Sequence, residues 1–244
     1  MKATAFALLF CLFFLAGCEK DFSEENKTEA FDELPPEIIP SKPCGTLYQG
    51  IMSMYPEHKR NNEVYSELFD PATEKRIVLK RETEVYATFI SEGAGWANTF
   101  GYYTYNENSP PGSPNDIKKY VLFPNVSDNV LKQGDMLQLG DGKFPAGTVI
   151  GFFLIARGYE NGLVHYGKPT SYTDPHLNKN GYQQHILFKE GECGDIVLGF
   201  EDRTLDLKDC DFDYNDIIMT VADNREQLET VSFDLSRVKQ LQQP

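Results

Sequence analysis

The apolar residues of this chain fall in short runs rich in β-branched and aromatic side chains, cut apart by clusters of Gly, Pro, Asn and Asp. That pattern restricts the fold more than any other feature, because it matches the two-residue period of strands and seldom the period of helices. Ile77–Leu79, Val85–Ile90, Phe100–Tyr105, Tyr120–Phe123, Met136–Leu139 and Val149–Ala156 read as strands. His185–Phe188, Ile196–Phe200, Ile217–Val221 and Val231–Leu235 continue the series. Between them lie turn sequences such as Asn108-Ser109-Pro110-Pro111-Gly112 and Asn178-Lys179-Asn180-Gly181. Helical periodicity is scarce, and Asn61–Phe69 is its best candidate. The expectation is an all-β chain, a β-sandwich or jelly roll, in one domain over residues 44–244.

The start of the chain has a different composition. Met1-Lys2 precedes an uncharged, mostly apolar run from Ala3 to Leu15, and Leu15-Ala16-Gly17-Cys18 follows. A basic start, an apolar core and small residues are the parts of a signal peptide over residues 1–17. The run is too short for a spanning helix, which needs about 20 residues. A cysteine directly after Ala16-Gly17 resembles the lipobox of bacterial lipoproteins, which implies lipid on Cys18 and a membrane contact made only through that lipid. An ordinary secreted protein with a cysteine at this position is the alternative. Residues 18–43 are acidic and proline-bearing, and are expected to form a disordered tether. Glu19-Lys20-Asp21 and Glu24-Glu25 resemble the short acidic signal that routes some lipoproteins to the outer face of the bacterial outer membrane. The same residues also suit a plain solvated tether.

The chain carries a formal net charge of −14. Removal of the signal peptide would take away only Lys2 among its charged residues, leaving 22 basic against 37 acidic side chains. Such a surface argues against nucleic acid or anionic headgroups as partners and suits divalent cations. Once Cys11 leaves with the signal peptide and Cys18 is acylated, Cys44, Cys193 and Cys210 remain. No C-x-x-C pair points to structural zinc. The expected disulfide is Cys193–Cys210, with Cys44 equally available as one partner.

The densest chemistry lies between Gly199 and Asp216, where seven acidic side chains and Asn215 fall within 18 residues between two apolar strands. Carboxylates so close together repel one another unless a cation or solvent intervenes. Hard oxygen donors in this number suit Ca²⁺. An EF-hand is excluded, because Tyr214 stands where that loop needs Gly and Thr220 where it needs Glu. The expected ligands are Glu201, Asp202, Asp211, Asp213, Asn215 and Asp216, with Asp209 a weaker candidate. A solvated loop whose Asp and Asn side chains cap turns is the plainer reading.

Leu198-Gly199-Phe200-Glu201-Asp202 followed by Asp211-Phe212-Asp213-Tyr214-Asn215-Asp216-Ile217-Ile218 resembles the closing signature of a bacterial family, the domain of unknown function numbered 4114. Phe89-Ile90-Ser91-Glu92-Gly93-Ala94-Gly95-Trp96 and the residues on to Tyr103 resemble its opening segment. Phe144-Pro145-Ala146-Gly147-Thr148, leading into Gly151-Phe152-Phe153-Leu154, resembles its middle. The likeness covers about residues 75–222 and implies an extracellular, calcium-dependent β-rich module, without supplying a ligand. Glycines common in the family between the two acidic halves are missing from Arg203–Lys208, and Cys210 is inserted among the acids.

Other constellations are plainer. Glu201 and Asp202 invite a glycan-hydrolase reading, but neighbours on a strand face opposite ways, so Asp216 would have to partner Glu201. His58, His165, His176 and His185 lack metal-ligand spacing, and His176 and His185, which flank a Tyr- and Asn-rich loop, read as surface or capping residues. The aromatic run Trp96, Phe100, Tyr102, Tyr103 and Tyr105 reads as core, with Trp96 the candidate ligand platform for a sugar or peptide. The resulting expectation is a calcium-binding, lipid-anchored surface module for binding or adhesion to an extracellular glycan or protein, without catalysis. The rivals are a glycan-active enzyme using carboxylates near Glu201 and Asp216, and a structural component of a surface assembly.

Overall fold

A computed structural model describes residues 27–243. The expected signal peptide, the lipidation at Cys18 and the start of the tether lie outside the described residues. In chain order the strands are β1 (Thr28–Ala30), β2 (Ile39–Pro40), β3 (Ile77–Val78), β4 (Tyr86–Glu92), β5 (Thr99–Asn106), β6 (Tyr120–Phe123), β7 (Asp135–Gln138) and β8 (Thr148–Ile155). They continue as β9 (Tyr159–Glu160), β10 (Leu163–His165), β11 (Thr170–Tyr172), β12 (His185–Glu190), β13 (Ile196–Phe200), β14 (Ile217–Ala222) and β15 (Lys239–Leu241). Two short helices, α1 (Leu47–Met54) and α2 (Asn61–Val64), lie between β2 and β3.

Most strands form a seven-stranded sheet in the order β15-β12-β13-β14-β4-β7-β2 and a five-stranded sheet in which β3 and β11 pair with β8, followed by β5 and β6; β1, β10 and β9 make a separate three-stranded sheet. Every pairing is antiparallel except β12 with β15. The central core lies between the two sheets. Phe89, Phe100, Phe152, Leu187, Leu198, Phe200, Ile217 and Met219 meet there, all nearly inaccessible to water. This is the sandwich arrangement that the alternating runs predict.

Both sheets are also covered on their outer faces. Leu47, Ile51 and Met54 of α1, with Tyr55 just after it, cover Ile90, Ile186, Phe188, Val197 and Ile218 of the large sheet. On the far side of the small sheet, Val164, Tyr166 and Leu177 pack over Tyr103, Phe153 and Ile155. Hence β13 and β14 are buried along their whole length, which is why their sequences run apolar without alternation.

Three expectations are corrected. From residue 27 the tether is part of the domain. β1 pairs with β10 and β2 with β7, covering otherwise open strand edges, and Pro40 sits on the outermost strand, where its missing N–H costs no ladder bond. The disulfide is Cys44–Cys193, with Cα atoms 6.0 Å apart, while Cys210 is free and buried. Cys193 precedes β13 and Cys210 follows it, so a five-residue strand, roughly 17 Å long, keeps the expected pair apart. Finally, Val231–Leu235 makes only the isolated bridge Leu79–Phe233, while Lys239–Leu241 supplies the edge strand.

Candidate functional site

Strand register assembles the first half of the site. Phe200 of β13 lies opposite Ile217 of β14, so the next residues outward, Glu201 and Asp216, leave the sheet side by side. The backbone N–H of Asp202 donates to Asp216 Oδ2 at 2.7 Å, closing this end of the pair. The connecting loop then has to bring Asp213 back over them. It does so with two left-handed residues, Phe212 (φ 64°) and Tyr214 (φ 56°), conformations that bulky side chains adopt only when the surroundings impose them.

Those surroundings are specific. The Tyr214 ring is buried against Phe69, with centroids 5.2 Å apart. Asn61, almost fully buried, donates its Nδ2–H to the Asp213 carbonyl at 2.7 Å and its backbone N–H to the Phe212 carbonyl at 2.9 Å. The Arg60 guanidinium lies 4.2 Å from the centre of the Phe212 ring. Gly199 lets the loop close, because a Cβ there would sit 2.5 Å from the Tyr214 carbonyl oxygen.

The result is a carboxylate triad, two members buried and Asp216 half-buried. Oxygens of Glu201, Asp213 and Asp216 lie within 4.8 Å of one another. Glu201 is wholly inaccessible and Asp213 is 1% exposed. The Tyr214 N–H donates to Glu201 Oε2 at 3.4 Å and the Cys210 thiol hydrogen-bonds the same carboxylate, while Glu201 Oε1 lacks a nitrogen or oxygen donor among the described residues. Asn215 is also buried with its Oδ1 unpartnered, while its Nδ2–H donates to the Tyr55 carbonyl at 3.0 Å. Burial, and then mutual repulsion, push the Glu201 and Asp216 carboxyls far above the ordinary range. Desolvation chiefly lifts Asp213 to about 6.

A second, exposed cluster adjoins the first and shares Asp213, with Glu57, His58 and Asp211 as its other members. The His58 backbone N–H donates to Asp213 Oδ2 at 2.9 Å, and its ring Nδ1 lies 2.8 Å from Asp211 Oδ2. Glu57 Oε1 and Asn215 Oδ1 both fall within 2.7 Å of the point where a Gly93 Cβ would stand. Glu92 ends β4 beside this region, its carboxyl raised to about 7, chiefly by burial.

Of the six residues expected to bind metal, Glu201, Asp213 and Asp216 converge, Asn215 borders them, and Asp211 belongs to the exposed cluster. Asp202 lies outside the triad, its Oδ2 accepting Asn98 Nδ2–H at 2.8 Å. Sequence reasoning missed Glu57 and His58, in the turn between α1 and α2, and Asn61, the first residue of α2; no motif marks any of the three. Glu92-Gly93 sits in the quoted opening segment, so a signal existed there. His185 is corrected: it is wholly buried, with Nε2 2.9 Å from the Lys75 carbonyl, and burial lowers it to about 4. Phe100, Tyr102 and Tyr103 are core as expected. Trp96 is half-buried, with the Arg157 and Arg203 guanidiniums 3.7 and 4.0 Å from its ring centre.

The protein is thus a β-sandwich whose acidic loop between β13 and β14 folds a carboxylate triad into its own base. Residues 144–224, about a third of the chain, match the family described as Domain of unknown function (DUF4114). The match runs from just before β8 to just past β14 and contains the whole acidic loop, with the middle and closing segments. The opening segment and the α1–α2 region lie outside it. No curated protein and no solved structure matches the chain.

Proposed function

We propose that this chain is a calcium-binding, lipid-anchored module on the bacterial outer membrane that binds or adheres to an extracellular glycan or protein and performs no chemistry. The observation that carries the metal reading is the convergent triad with Glu201 Oε1 lacking a nitrogen or oxygen donor. A desolvated carboxylate oxygen without such a donor is costly, and a cation among Glu201, Asp213 and Asp216 removes that cost for Glu201 and the repulsion among all three. The donor set is entirely oxygen, which suits a hard cation. The nearby Cys210 thiol is pushed well above its ordinary value by burial and by Glu201, so it stays neutral and is a poor ligand.

The inaccessibility of Glu201 also weighs against the glycosidase reading. Carboxyls this close could flank a glycosidic bond, but a sugar needs open access to both. Surface display and the lipid anchor rest on the Cys18 sequence and the acidic residues after it.

The test is thermal unfolding of the full chain in mild detergent, with excess Ca²⁺, excess Mg²⁺ or chelator. Calcium at 100 times its dissociation constant adds about 2.7 kcal/mol, a rise of about 5–11 °C at this size. Equal curves in all three conditions would remove the metal from the proposal. Metabolic labelling with a fatty acid, lost in Cys18→Ser, tests the anchor.

A further inference from the structure

Basic residues are the minority in this chain, yet three of them line one cavity with its single tryptophan. Trp96 lies in the loop between β4 and β5, Arg157 just after β8, Lys168 just before β11, and Arg203 directly after Asp202. Together with Asp202 and Thr204 they line a cavity of about 290 Å³. Two guanidiniums both centred within 4.0 Å of one ring centroid have no room on the same face, so they cover opposite faces of the indole. This removes Trp96 as a stacking platform for a neutral sugar. It also makes the ring a spacer between two guanidiniums, each held within 4.0 Å of its centre.

The surrounding bonds hold that geometry in place. Arg157 is a left-handed residue (φ 53°) whose backbone N–H donates to Asn98 Oδ1 at 2.9 Å. Asn98, fully buried, passes its own Nδ2–H to Asp202 Oδ2 at 2.8 Å. Arg203 is partly engaged by Asp209 at 2.9 Å. Arg157 and Lys168 make no ion pair among the described residues. Stacked guanidiniums keep their N–H edges free for planar anions and lose little freedom on binding. Asp202 and Thr204 share the lining with the cations: Asp202 only accepts hydrogen bonds, and Thr204 both donates and accepts. A ligand that satisfies the whole lining carries a carboxylate for the cations and hydroxyl donors for Asp202.

We infer that the Trp96–Arg157–Arg203–Lys168 cavity is a binding site for one carboxylate-bearing sugar unit, such as a uronate, of an acidic glycan. This deepens the binding-module reading by naming a ligand class, and it does not require the metal. A purely structural clamp, in which the arginines only tie three loops together, is the competing explanation.

The assay uses the only tryptophan as reporter. Digalacturonate is titrated into the full chain, in calcium and in chelator, while Trp96 emission is followed. The same is done with its methyl ester and with N-acetylglutamate. Saturable change with digalacturonate and none with the ester is expected. Lys168→Gln, which leaves both stacked guanidiniums in place, should weaken binding about tenfold, as should Arg157→Gln, each removing one charge-assisted contact. No saturable change with any compound, in calcium or in chelator, leaves the structural clamp and overturns the site. Equal response to N-acetylglutamate overturns the sugar assignment, and equal response to the ester overturns the anion. Calcium-induced thermal stabilisation is read separately, so loss of the glycan site and loss of the metal site are distinguishable.

Discussion

Replacing Asp216 with Asn should stabilise the metal-free protein and abolish its response to calcium. Asp216 sits at the base of the acidic loop, and burial followed by repulsion from Asp202 and Glu201 raises its carboxyl to about 9. Because the folded value lies above the unfolded one, the metal-free fold is favoured most at low pH and loses that advantage as pH rises toward 9. At pH 8 the span from about pH 4 is roughly four units, an upper bound of about 5–6 kcal/mol at about 1.4 kcal/mol per unit. Relaxation and water entry around buried charge reduce this, and on the order of 2 kcal/mol is the expected gain from Asn. Its side-chain oxygen can still accept the Asp202 N–H that now donates at 2.7 Å. At this chain length 2 kcal/mol raises the melting temperature by about 4–8 °C. Calorimetry at pH 8 should therefore place Asp216→Asn above the wild type in chelator, and calcium should move only the wild type. If the variant melts lower in chelator and still responds to calcium, the triad is neither strained by its charges nor the calcium site.

Four further outcomes are expected. Metal-free protein should lose stability between about pH 5 and 9, as Asp213, Glu201 and Asp216 ionise in the fold; denaturant titrations across that range should show the fall, and saturating calcium should flatten it. On the acid side His185, lowered to about 4, works the other way, costing stability as pH falls from about 6.5 to 4, and His185→Gln should flatten that limb. Opening Cys44–Cys193, which closes a sequence separation of 149 residues, should cost on the order of 4–5 kcal/mol on chain-entropy grounds. Urea unfolding of Cys44→Ser/Cys193→Ser would measure that cost, and Cys210 should remain unreactive to thiol reagents until the chain unfolds. Gly199→Ala places a Cβ against the Tyr214 carbonyl and should cost about 1–3 kcal/mol while weakening calcium binding, as calorimetric titration would show.

Much of the fold can be read in the sequence because the long central strands are apolar along their whole length. Val149–Ala156, Ile196–Phe200 and Ile217–Val221 stand out, and all three are strands within one or two residues of the expected bounds. What escaped notice is local structure that depends on its neighbours. Leu47–Met54 is helical because Leu47, Ile51 and Met54 line one face against the sheet, yet eight residues give that period little chance to show. Thr28–Ala30 and Ile39–Pro40 have no pattern of their own and become strands only because β10 and β7 offer open edges. Val231–Leu235 has the apolar content of a strand, but Asp223 accepts the N–H groups of Val231 and Ser232 and holds the segment outside a continuous ladder.

The site divides in the same way. Glu201 and Asp216 can be paired from sequence once β13 and β14 are taken as antiparallel neighbours, since register alone brings them together. Asp213 cannot, because its position depends on two left-handed residues that nothing local would select. Phe212 and Tyr214 adopt that conformation because Asn61, Arg60 and Phe69 hold them, and those three lie well over a hundred residues upstream. The helical segment that carries them is pinned to the sheet by the buried face of α1 and by Cys44–Cys193. The acidic loop is therefore a composite: its carboxylates come from the family-like third of the chain, and its curvature is imposed by a segment outside it. Weakening that segment, as in Asn61→Ala, should release Asp213 and reduce calcium affinity although no ligand has been touched. If affinity is unchanged, the loop shapes itself and the α1–α2 region is only a cover.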